Sequence, residues 1–370
     1  MKKDVVKMSF LGLCFMLLFL PLLNHLFHFN KESTIDENRT TNDSLSFSFA
    51  HIDAFPEDCE NYLLDHFNFR TELLKVNNSL YIDLLKISPD HERIIIGTNG
   101  RYYYGGEVVQ DFNGENLFSK QQLQSISEDW EKRVRFINNH QAKVAFLVTP
   151  TTLDIYPEQL PYFIKNTSGT NRREQLMKHF QSIQNLTIID PTEELFAQNK
   201  LPNLYFKYDN HWTQNGAKIA AQKLLKALEA NDPALKIDYI QGQTFKKIKI
   251  EEGYFSKLLI QEDSYEWTRD YLTNAIPADK FGFQSPNGFP YPDSFERHFK
   301  NPKAPNKKKV MIICDSFSDG LLPFINEGFS ETLWIFDAWQ YKLNENIIEQ
   351  FQPDIVIFEV NSQNLKNLLQ

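Results

Sequence analysis

The most apolar stretch of the chain lies close to its N-terminus. Residues 8–23 are almost wholly apolar, and Lys2, Lys3 and Lys7 precede them. With its apolar continuation the run is long enough for a membrane span, and lysines before a span keep the N-terminus in the cytoplasm. No pair of small residues suited to signal-peptide cleavage follows. We therefore predict a membrane anchor (an uncleaved signal anchor) as a transmembrane helix over residues 1–30, with a cleavable signal peptide as the alternative.

Behind this run the pattern changes twice. Residues 31–50 are polar and rich in Ser, Thr, Asn and Asp, which predicts a polar tether. Apolar residues over 57–85 recur at mostly helical spacing, and so do those over 119–140. Between them, Thr98-Asn99-Gly100 predicts the turn of a β-hairpin over 93–104.

The pattern of a buried parallel sheet fills most of the remaining chain. Continuous apolar runs, each ending at a polar residue, occupy 143–148, 186–189, 309–314, 332–336 and 354–358. Strands without polar alternation are buried on both faces, which requires helices above and below the sheet. Segments with helical character lie at 172–183, 214–230, 318–326 and 343–351. We predict an α/β fold, a three-layer α/β/α sandwich with about five strands, in one domain over residues 51–370.

One region interrupts this alternation. Residues 236–305 contain a short charged strand at 246–251, a helix candidate at 263–273 and a loop rich in Pro, Gly and aromatic residues at 286–292. We interpret this region as an insertion into the α/β domain that covers or borders a site.

Composition narrows the classes of function. With 42% hydrophobic and 24% charged residues the chain is globular, and its net charge of −9 argues against a nucleic-acid partner. Aromatic residues make up 14%. Tyr102–Tyr104 and residues 289–291 are candidates for stacking on sugar rings, with packing between the layers as the simpler alternative. The three cysteines include no Cys-x-x-Cys pair, and whether Cys59 and Cys314 form a disulfide is open.

Two short polar segments carry the candidate chemistry. Ser316 comes just after the apolar run 309–314, where a strand-to-helix turn exposes its hydroxyl near the positive end of the next helix. The simpler alternative is that Asp315 or Ser316 only caps that helix. Asp209 and His211 stand two residues apart, so on an extended segment both side chains point the same way and the carboxylate can orient the imidazole.

These residues form a candidate catalytic set. A Ser nucleophile needs a base within hydrogen-bond reach, and the base needs an orienting acid. Asp209, His211 and Ser316 supply one of each, in that chain order. The alternative for the first two is a surface loop in which His211 only satisfies a helix cap. The other histidines have no acid or Cys at ligand spacing, and no phosphate loop is present, so neither a metal nor a cofactor is expected.

Four stretches of the sequence share the pattern of one family. They are residues 55–70, the hairpin 96–104, Asp209-Asn210-His211-Trp212-Thr213 with Gly216-Ala217, and Asp315-Ser316-Phe317-Ser318. The chain thereby resembles the AlgJ/AlgX-type SGNH hydrolase-like proteins, which take part in polysaccharide O-acetylation. Ordinary SGNH enzymes carry Ser first and His last, so the resemblance implies an SGNH hydrolase-like fold that is circularly permuted.

The resemblance also implies roles by position in these blocks. Ser316 would be the catalytic nucleophile, His211 the general base and Asp209 its orienting acid. Cys314 departs from the family, which has Gly before Asp-Ser, and Glu359-Val360-Asn361 lacks the Arg common after the last strand. Glu359 or Asn361 is a candidate for a supporting or oxyanion contact. No carbohydrate-binding tail follows, so a layout like that of AlgJ is expected.

The function that the resemblance implies is that of a membrane-tethered O-acyltransferase. Its catalytic domain would lie on the outer (periplasmic or extracellular) side of the cell membrane, with acetyl as the expected acyl group. A membrane-bound O-acyltransferase (MBOAT) partner would supply the donor, and the acceptor would be an extracytoplasmic polysaccharide or wall glycan. Two alternatives stay open. One is a carbohydrate esterase with the same triad, in which water replaces the acceptor; the other is a non-catalytic exopolysaccharide assembly protein.

Overall fold

The chain divides into two units in the computed structural model. One comprises Met1–Asp90 and Tyr254–Ser264, and the other His91–Gly253 and Tyr265–Gln370. The structure describes residues 2–27, 48–49, 52–65, 69–165, 169–200, 203–251, 253–261 and 265–369. The predicted boundaries of anchor, tether and domain stay predictions.

Helices and strands alternate through most of the second unit. The strands are β1 Ile94–Ile96, β2 Tyr102–Tyr104, β3 Lys143–Thr149, β4 Leu186–Ile189, β5 Phe245–Ile250, β6 Glu266–Tyr271, β7 Ile276–Pro277, β8 Glu296–Lys300, β9 Asn306–Cys314, β10 Phe329–Phe336 and β11 Ile355–Asn361. The helices of the whole chain are α1 Lys2–Phe27, α2 Phe55–Asp65, α3 Arg70–Ser79, α4 Gly106–Phe112, α5 Lys120–Asn139, α6 Thr152–Ile155, α7 Arg172–Phe180, α8 Thr192–Ala197, α9 Gln214–Asn231, α10 Tyr254–Leu258, α11 Ser318–Gly328 and α12 Glu345–Phe351.

The second unit is built around one mixed sheet. In the part of the chain that the structure describes, its strands lie in the order β4-β3-β11-β9-β10-β8-β7. The strands from β4 to β10 run parallel, β8 is antiparallel to β10, and β7 is antiparallel to β8. The predicted apolar runs are the parallel strands, so the predicted α/β fold with a central sheet is confirmed. The antiparallel edge comes from the region 236–305 and was not predicted.

Helices cover both faces of this sheet. Successive residues of β9 enter opposite cores, Ile312 on the face of α9 and α11, and Met311 and Ile313 on the face of α5, α7 and α12. This explains why the strands show no polar alternation, because each side chain is buried whichever way it points. Trp130 of α5 packs edge-on against Phe146 of β3, with ring centroids 4.9 Å apart. Removing the buried Phe146 ring would cost about 3–5 kcal/mol of stability.

The region 236–305 differs in part from its prediction. β5 matches the predicted charged strand, but the helix candidate at 263–273 is wrong because Glu266–Tyr271 is strand β6; residues 262–264 lie outside the described part. β5 and β6 pair antiparallel, with Phe245 opposite Tyr271. We call this pair the β5–β6 ribbon. Trp, Thr and Tyr, which occur in this segment, favour strands. The edge of β5 supplies hydrogen-bonding partners for the backbone of β6, and the local spacing of apolar residues does not reveal this pairing.

The first unit is helical. The predicted helical stretch over 57–85 appears as α2 and α3, followed by a π-helical turn at Leu80–Leu85. Among the helices of the described residues, none combines the length and the apolar character needed to cross a membrane. The predicted transmembrane helix is thus not found among them. The predicted tether over 31–50 lies outside the described residues except for 48–49.

Candidate active site

Ser316 lies on the turn between β9 and α11. β9 is a central strand with β11 and β10 on either side, and it ends at Cys314. Groups at the carboxyl end of such a strand face the crevice where open α/β sheets bind ligands. We call residues 315–317 the serine turn. Phe317 is the N-cap residue of α11 and makes no side-chain cap hydrogen bond. Asp315 accepts the Phe317 N–H at this helix start and three other donors besides, so it does more than cap the helix.

A buried carboxylate holds the serine turn in place. Asp315 is 1% exposed, and its Oδ1 accepts a hydrogen bond from the Phe317 N–H at 2.9 Å. Its Oδ2 accepts from the Tyr341 hydroxyl at 2.7 Å, the Asn361 N–H at 2.7 Å and the Asn364 side-chain amide at 3.1 Å. These donors satisfy a carboxylate that would otherwise be very unfavourable in the core. The turn is therefore tied to β11 and to the loop after β10.

A second buried acid lies next to Asp315. Glu359 accepts hydrogen bonds from the Asp315 N–H at 3.1 Å and from the Thr149 hydroxyl at 3.3 Å. Burial, and after it the charge of Asp315, raises the pKa of Glu359 well above its usual range, which favours the neutral acid. Asn361 donates its side-chain amide to the Thr149 carbonyl and hydroxyl at 3.2 and 3.1 Å. Both residues thus support the serine turn from the sheet, and the Asn361 amide is engaged with Thr149.

Cys314 stands where the resemblance leads one to expect glycine. Its side chain is fully buried, with Sγ 3.5 Å from the Ile335 carbonyl oxygen, and its φ lies outside the left-handed region. Burial first, and the charge of Glu359 second, raises the pKa of the Cys314 thiol well above its usual range, so the thiol stays protonated. Cys14, Cys59 and Cys314 are free cysteines in the structure.

Asp209 and His211 lie on an irregular loop before α9, residues 206–213, which we call the histidine loop. The loop closes on itself, because the Phe206 N–H donates to the His211 carbonyl at 3.1 Å and Tyr205 forms a bridge with Trp212. Thr213 caps α9 by accepting a hydrogen bond from the Asn215 N–H at 3.2 Å.

The hairpin of β1 and β2 supports the histidine loop from one side. Arg101 donates to the Phe206 carbonyl at 2.6 Å, and the Tyr102 N–H donates to the Lys207 carbonyl at 2.9 Å. Tyr102 and Tyr103 are almost completely buried, so of the two interpretations packing is the correct one for these rings.

The β5–β6 ribbon supports the same loop from another side. Both carboxylate oxygens of Glu266 accept backbone hydrogen bonds, from the Lys207 N–H at 2.5 Å and the Tyr208 N–H at 2.7 Å. Gly253, shortly after β5, passes so close that a Cβ there would lie 2.3 Å from the Tyr208 carbonyl oxygen and 3.2 Å from Asp209 Cβ. A side chain at Gly253 would push this loop away.

His211 joins Asp209 to Ser316. Its Nδ1 is 2.6 Å from Asp209 Oδ1, and its Nε2 is 2.7 Å from Ser316 Oγ. The hydrogen-bond network assigns the Nδ1 proton to the Asp209 contact, which leaves Nε2 to accept the Ser316 hydroxyl proton. Trp212 adds a second link, since its indole N–H donates to the Phe317 carbonyl at 2.9 Å. The structure thus brings together the three residues that the sequence singled out.

The electrostatics of His211 suit proton transfer. Burial alone would lower its pKa, but the hydrogen bond and charge of Asp209, with Asp315 and Asp319 further off, raise it overall. The His211 side chain is 28% exposed and that of Asp209 18%, so the pair is accessible yet largely shielded from water. An imidazole with such partners can take a hydroxyl proton and return it.

Two further features bear on the chemistry. The Ser316 N–H makes no hydrogen bond with any of the described residues, and it sits near the start of α11, where a donor can stabilise developing negative charge. Over the same residues, no three His, Cys, Asp or Glu side chains come together in a metal-binding group.

A mixed sheet covered by helices on both faces, with a Ser–His–Asp chain at its carboxyl edge, defines a serine-hydrolase-like α/β protein. A family model described as "SGNH hydrolase-like domain, acetyltransferase AlgX" matches residues 94–278, which is half of the chain. The chain belongs to this family. Among curated proteins, none matches its sequence.

Solved structures share the fold at low sequence identity. PatB1 of Bacillus cereus aligns with a TM-score of 0.56 and 15% identity, over 75% of this chain and 98% of that one. A DHHW family protein from Eubacterium siraeum gives 0.50 and 15%, over 76% and 93%. The O-acetyltransferase domain of Pseudomonas putida AlgJ gives 0.49 and 13%, over 74% and 91%. At such identities, the likeness to PatB1 and to the DHHW family protein shows the fold alone.

Several supporting residues escaped the sequence reasoning. Glu266, Tyr341 and Asn364 hold the two halves of the site, yet none lies next to a catalytic candidate in the sequence. The aromatic segment 289–291 lies elsewhere: Phe289 lines a cavity of 1040 Å³ that none of the three candidate catalytic residues lines. For Glu266 the sequence held no usable signal, because its segment was predicted as a helix.

Proposed function

We propose that this protein is an O-acyltransferase, with acetyl as the acyl group, that modifies a hydroxyl of an extracytoplasmic polysaccharide or wall glycan. The observation that carries the proposal is the continuous hydrogen-bonded chain from Asp209 through His211 to Ser316, with contacts of 2.6 and 2.7 Å, in a member of the acetyltransferase AlgX family. The acyl group would be held for a time as an ester of Ser316.

The first half-reaction loads the enzyme. Ser316 Oγ attacks the carbonyl carbon of the acyl donor while its proton passes to His211 Nε2. The bond from that carbon to the donor's leaving atom breaks, and His211 returns the proton to the leaving atom. The Ser316 N–H donates to the carbonyl oxygen as negative charge develops there.

The second half-reaction reverses these roles. A glycan hydroxyl gives its proton to His211 Nε2 while its oxygen attacks the acyl carbon. The bond to Ser316 Oγ breaks, and the serine takes the proton back from His211. Asp209 holds the Nδ1–H throughout and stabilises the imidazolium that forms in each half.

We also propose a place and a partner for the reaction. The domain acts on the outer side of the cell membrane and receives its acyl group from a membrane-bound O-acyltransferase (MBOAT) protein. The lysine-flanked apolar run at 8–23 and the family resemblance support this proposal. Protease added to intact spheroplasts should degrade the domain; full protection with cleavage only after lysis would contradict the placement.

The experiment that tests the function compares acyl release with acyl transfer. The full chain is incubated with p-nitrophenyl acetate, with and without an oligosaccharide acceptor, and the products are analysed by mass spectrometry. We expect acetylated sugar from the wild type and a loss of about 10⁴-fold or more for Ser316→Ala. The exposed Ser182→Ala is the matched control. Acetate release without transfer would favour the esterase alternative, and equal behaviour of wild type and Ser316→Ala would favour the assembly protein.

A further inference from the structure

The helix α3 turns a row of apolar side chains towards solvent. Its backbone continues from Arg70–Ser79 into the π-helical turn Leu80–Leu85, because the Leu80 N–H donates to the carbonyls of Val76 and Asn77. Four aliphatic residues recur along it at spacings of three and four, and each is at least 50% exposed: Leu73, Val76, Leu80 and Leu84. Residues at such spacings share one face of a helix. We call these four residues the outer stripe of α3.

Another face of the same helix packs inside its own unit. Asn78 and Ile82 are buried there, and the Asn78 side-chain amide donates to the Leu259 carbonyl at 2.6 Å. A surface helix of a globular protein usually turns its apolar residues inward and its polar residues outward. Here a polar amide is turned inward, whereas four aliphatic side chains are turned outward. An exposed apolar patch of this kind marks a surface that meets another apolar surface.

The charges along this helix balance each other. Over residues 72–86, the acids Glu72 and Asp83 are matched by the bases Lys75 and Lys86. The segment therefore has no net charge with which to attract a charged partner, and the contact that the outer stripe can make is an apolar one. Lysines suit such a contact, because their long stems can rest on an apolar surface while the ammonium group stays in water.

The helix α1, in the same unit, indicates what covers the outer stripe. Val5, Phe10 and Leu11 lie roughly a third of a turn apart around α1, and each is more than half exposed. A helix that is apolar on all sides belongs in a protein core or in membrane hydrocarbon, and these side chains are not in the core of this protein. A bilayer surrounds such a helix, whereas a folded partner covers one face. A helix that is apolar on one face is suited to the boundary of the same bilayer.

We propose that the outer stripe of α3 lies in the membrane interface, with its aliphatic side chains among the upper parts of the lipid acyl chains and with Asp83 and Lys86 at the level of the headgroups. The proposal rests on the placement at the cell membrane proposed above, and it adds a second contact with the bilayer beyond the apolar run at 8–23. Apolar area carries this contact, so it does not require anionic lipids.

Fluorescence quenching in the full chain tests the proposal. Cys14 and Cys59 are replaced by serine, and Cys314 is buried. A single new cysteine, Leu84→Cys or the matched control Asp83→Cys, then carries an NBD fluorophore. The chain is reconstituted in phosphatidylcholine vesicles with and without lipids that carry a doxyl spin label on the acyl chain. We expect the label at Leu84 to be quenched about twofold more strongly than the label at Asp83, because the apolar face of an interfacial helix enters the acyl region.

A charge placed in the outer stripe should lift it out of the acyl region. Leu80→Glu should lower the quenching of the label at Leu84 about twofold or more. Ser79→Glu adds the same charge at an exposed position outside the stripe and should leave the quenching unchanged. Vesicles that also contain phosphatidylglycerol should give the same result at low and at high salt. Thermal unfolding in detergent checks the fold of each variant, and if Leu80→Glu unfolds, the comparison of the labels at Leu84 and Asp83 still decides.

Several outcomes would overturn the proposal. These are equal quenching at Leu84 and Asp83, an unchanged signal at Leu84 in folded Leu80→Glu, or an equal effect of Ser79→Glu. A label at Leu84 that responds to protein concentration but not to doxyl lipid would assign the outer stripe to a second copy of the chain. Failure of the membrane placement is seen separately, as no quenching of a label introduced by Leu11→Cys. Quenching at Leu11 without quenching at Leu84 refutes the stripe contact alone.

Discussion

The two halves of the candidate active site are held by different parts of the molecule. The serine turn stands on a central strand, and the carboxylate of Asp315 beside it is buried and fully hydrogen bonded. The histidine loop is irregular and partly exposed, and the hairpin and the β5–β6 ribbon hold it from outside the sheet. The group that would form the covalent bond is fixed by the core, whereas the groups that would move protons depend on peripheral elements. Substitutions that remove the hydrogen bonds of the serine turn should therefore lower the stability of the protein. Substitutions in the histidine loop should instead lower its activity.

Apart from the loss of the nucleophile in Ser316→Ala, the largest expected effect on activity lies in the histidine loop. Asp209→Asn keeps the shape of the side chain but replaces the acceptor charge that orients His211. We expect ester cleavage to fall by about 10³–10⁴-fold with the unfolding temperature nearly unchanged. Kinetics with p-nitrophenyl acetate and a thermal melt measure the two quantities. Full activity in this variant would mean that Asp209 does not serve His211.

The serine turn should respond with a loss of stability instead. Asp315→Asn leaves donors facing an amide that cannot accept all of their hydrogen bonds, at a cost of about 2–4 kcal/mol. Asp319→Asn is the matched control, because the Asp319 side chain is 65% exposed and pairs with Arg297. It should cost less than about 1 kcal/mol. Urea unfolding of both variants checks this, and equal losses would break the contrast between the two halves.

A smaller effect is expected where the ribbon meets the histidine loop. Glu266→Gln keeps one acceptor oxygen for the two backbone N–H groups of Lys207 and Tyr208, so the loop should be held less tightly. We expect kcat to fall by about tenfold, as small misplacements of catalytic groups are costly. Glu251→Gln, also at the ribbon and highly exposed, is the control and should keep its kcat. An unchanged kcat in Glu266→Gln would show that the Glu266 hydrogen bonds are not needed to position the loop.

The smallest expected effect is on the pH dependence of activity. His211 must be neutral to accept a proton, and its pKa is raised from 6.5, so activity should rise with pH through a value above 6.5. Asp319→Asn removes a charge that raises this pKa, so the midpoint should move to lower pH. A profile of kcat/KM against pH tests both statements, and a midpoint below 6.5 in the wild type would contradict the first. For stability the sign is opposite: the contribution of protonated His211 is present below pH 6.5 and is lost as the pH rises through the raised pKa.

The same contrast explains what the sequence could predict. The strand before Ser316 is a continuous apolar run. Such a run predicts a buried strand, and the polar residues after it predict a turn, even when the neighbouring strands are unknown. Asp209 and His211 were found because they stand two residues apart. Glu266 was missed, since its segment was predicted as a helix and forms a strand by pairing with β5. Tyr341 and Asn364 were also missed. They lie far from Asp315 in the sequence, and their contacts with it form only in the folded tertiary structure.

The position of β9 has a consequence for the order in which the protein becomes active. Ser316 and His211 are 105 residues apart in the chain, and β9 is hydrogen bonded to β11, which is synthesised later. Bringing His211 to Ser316 closes a long loop, which is slow, and the serine turn is held in place only when β9 and β11 are paired in the sheet. We therefore expect Ser316 to be inert in a growing chain, and acyl-ester cleavage to appear in refolding experiments only in the phase that inserts β11.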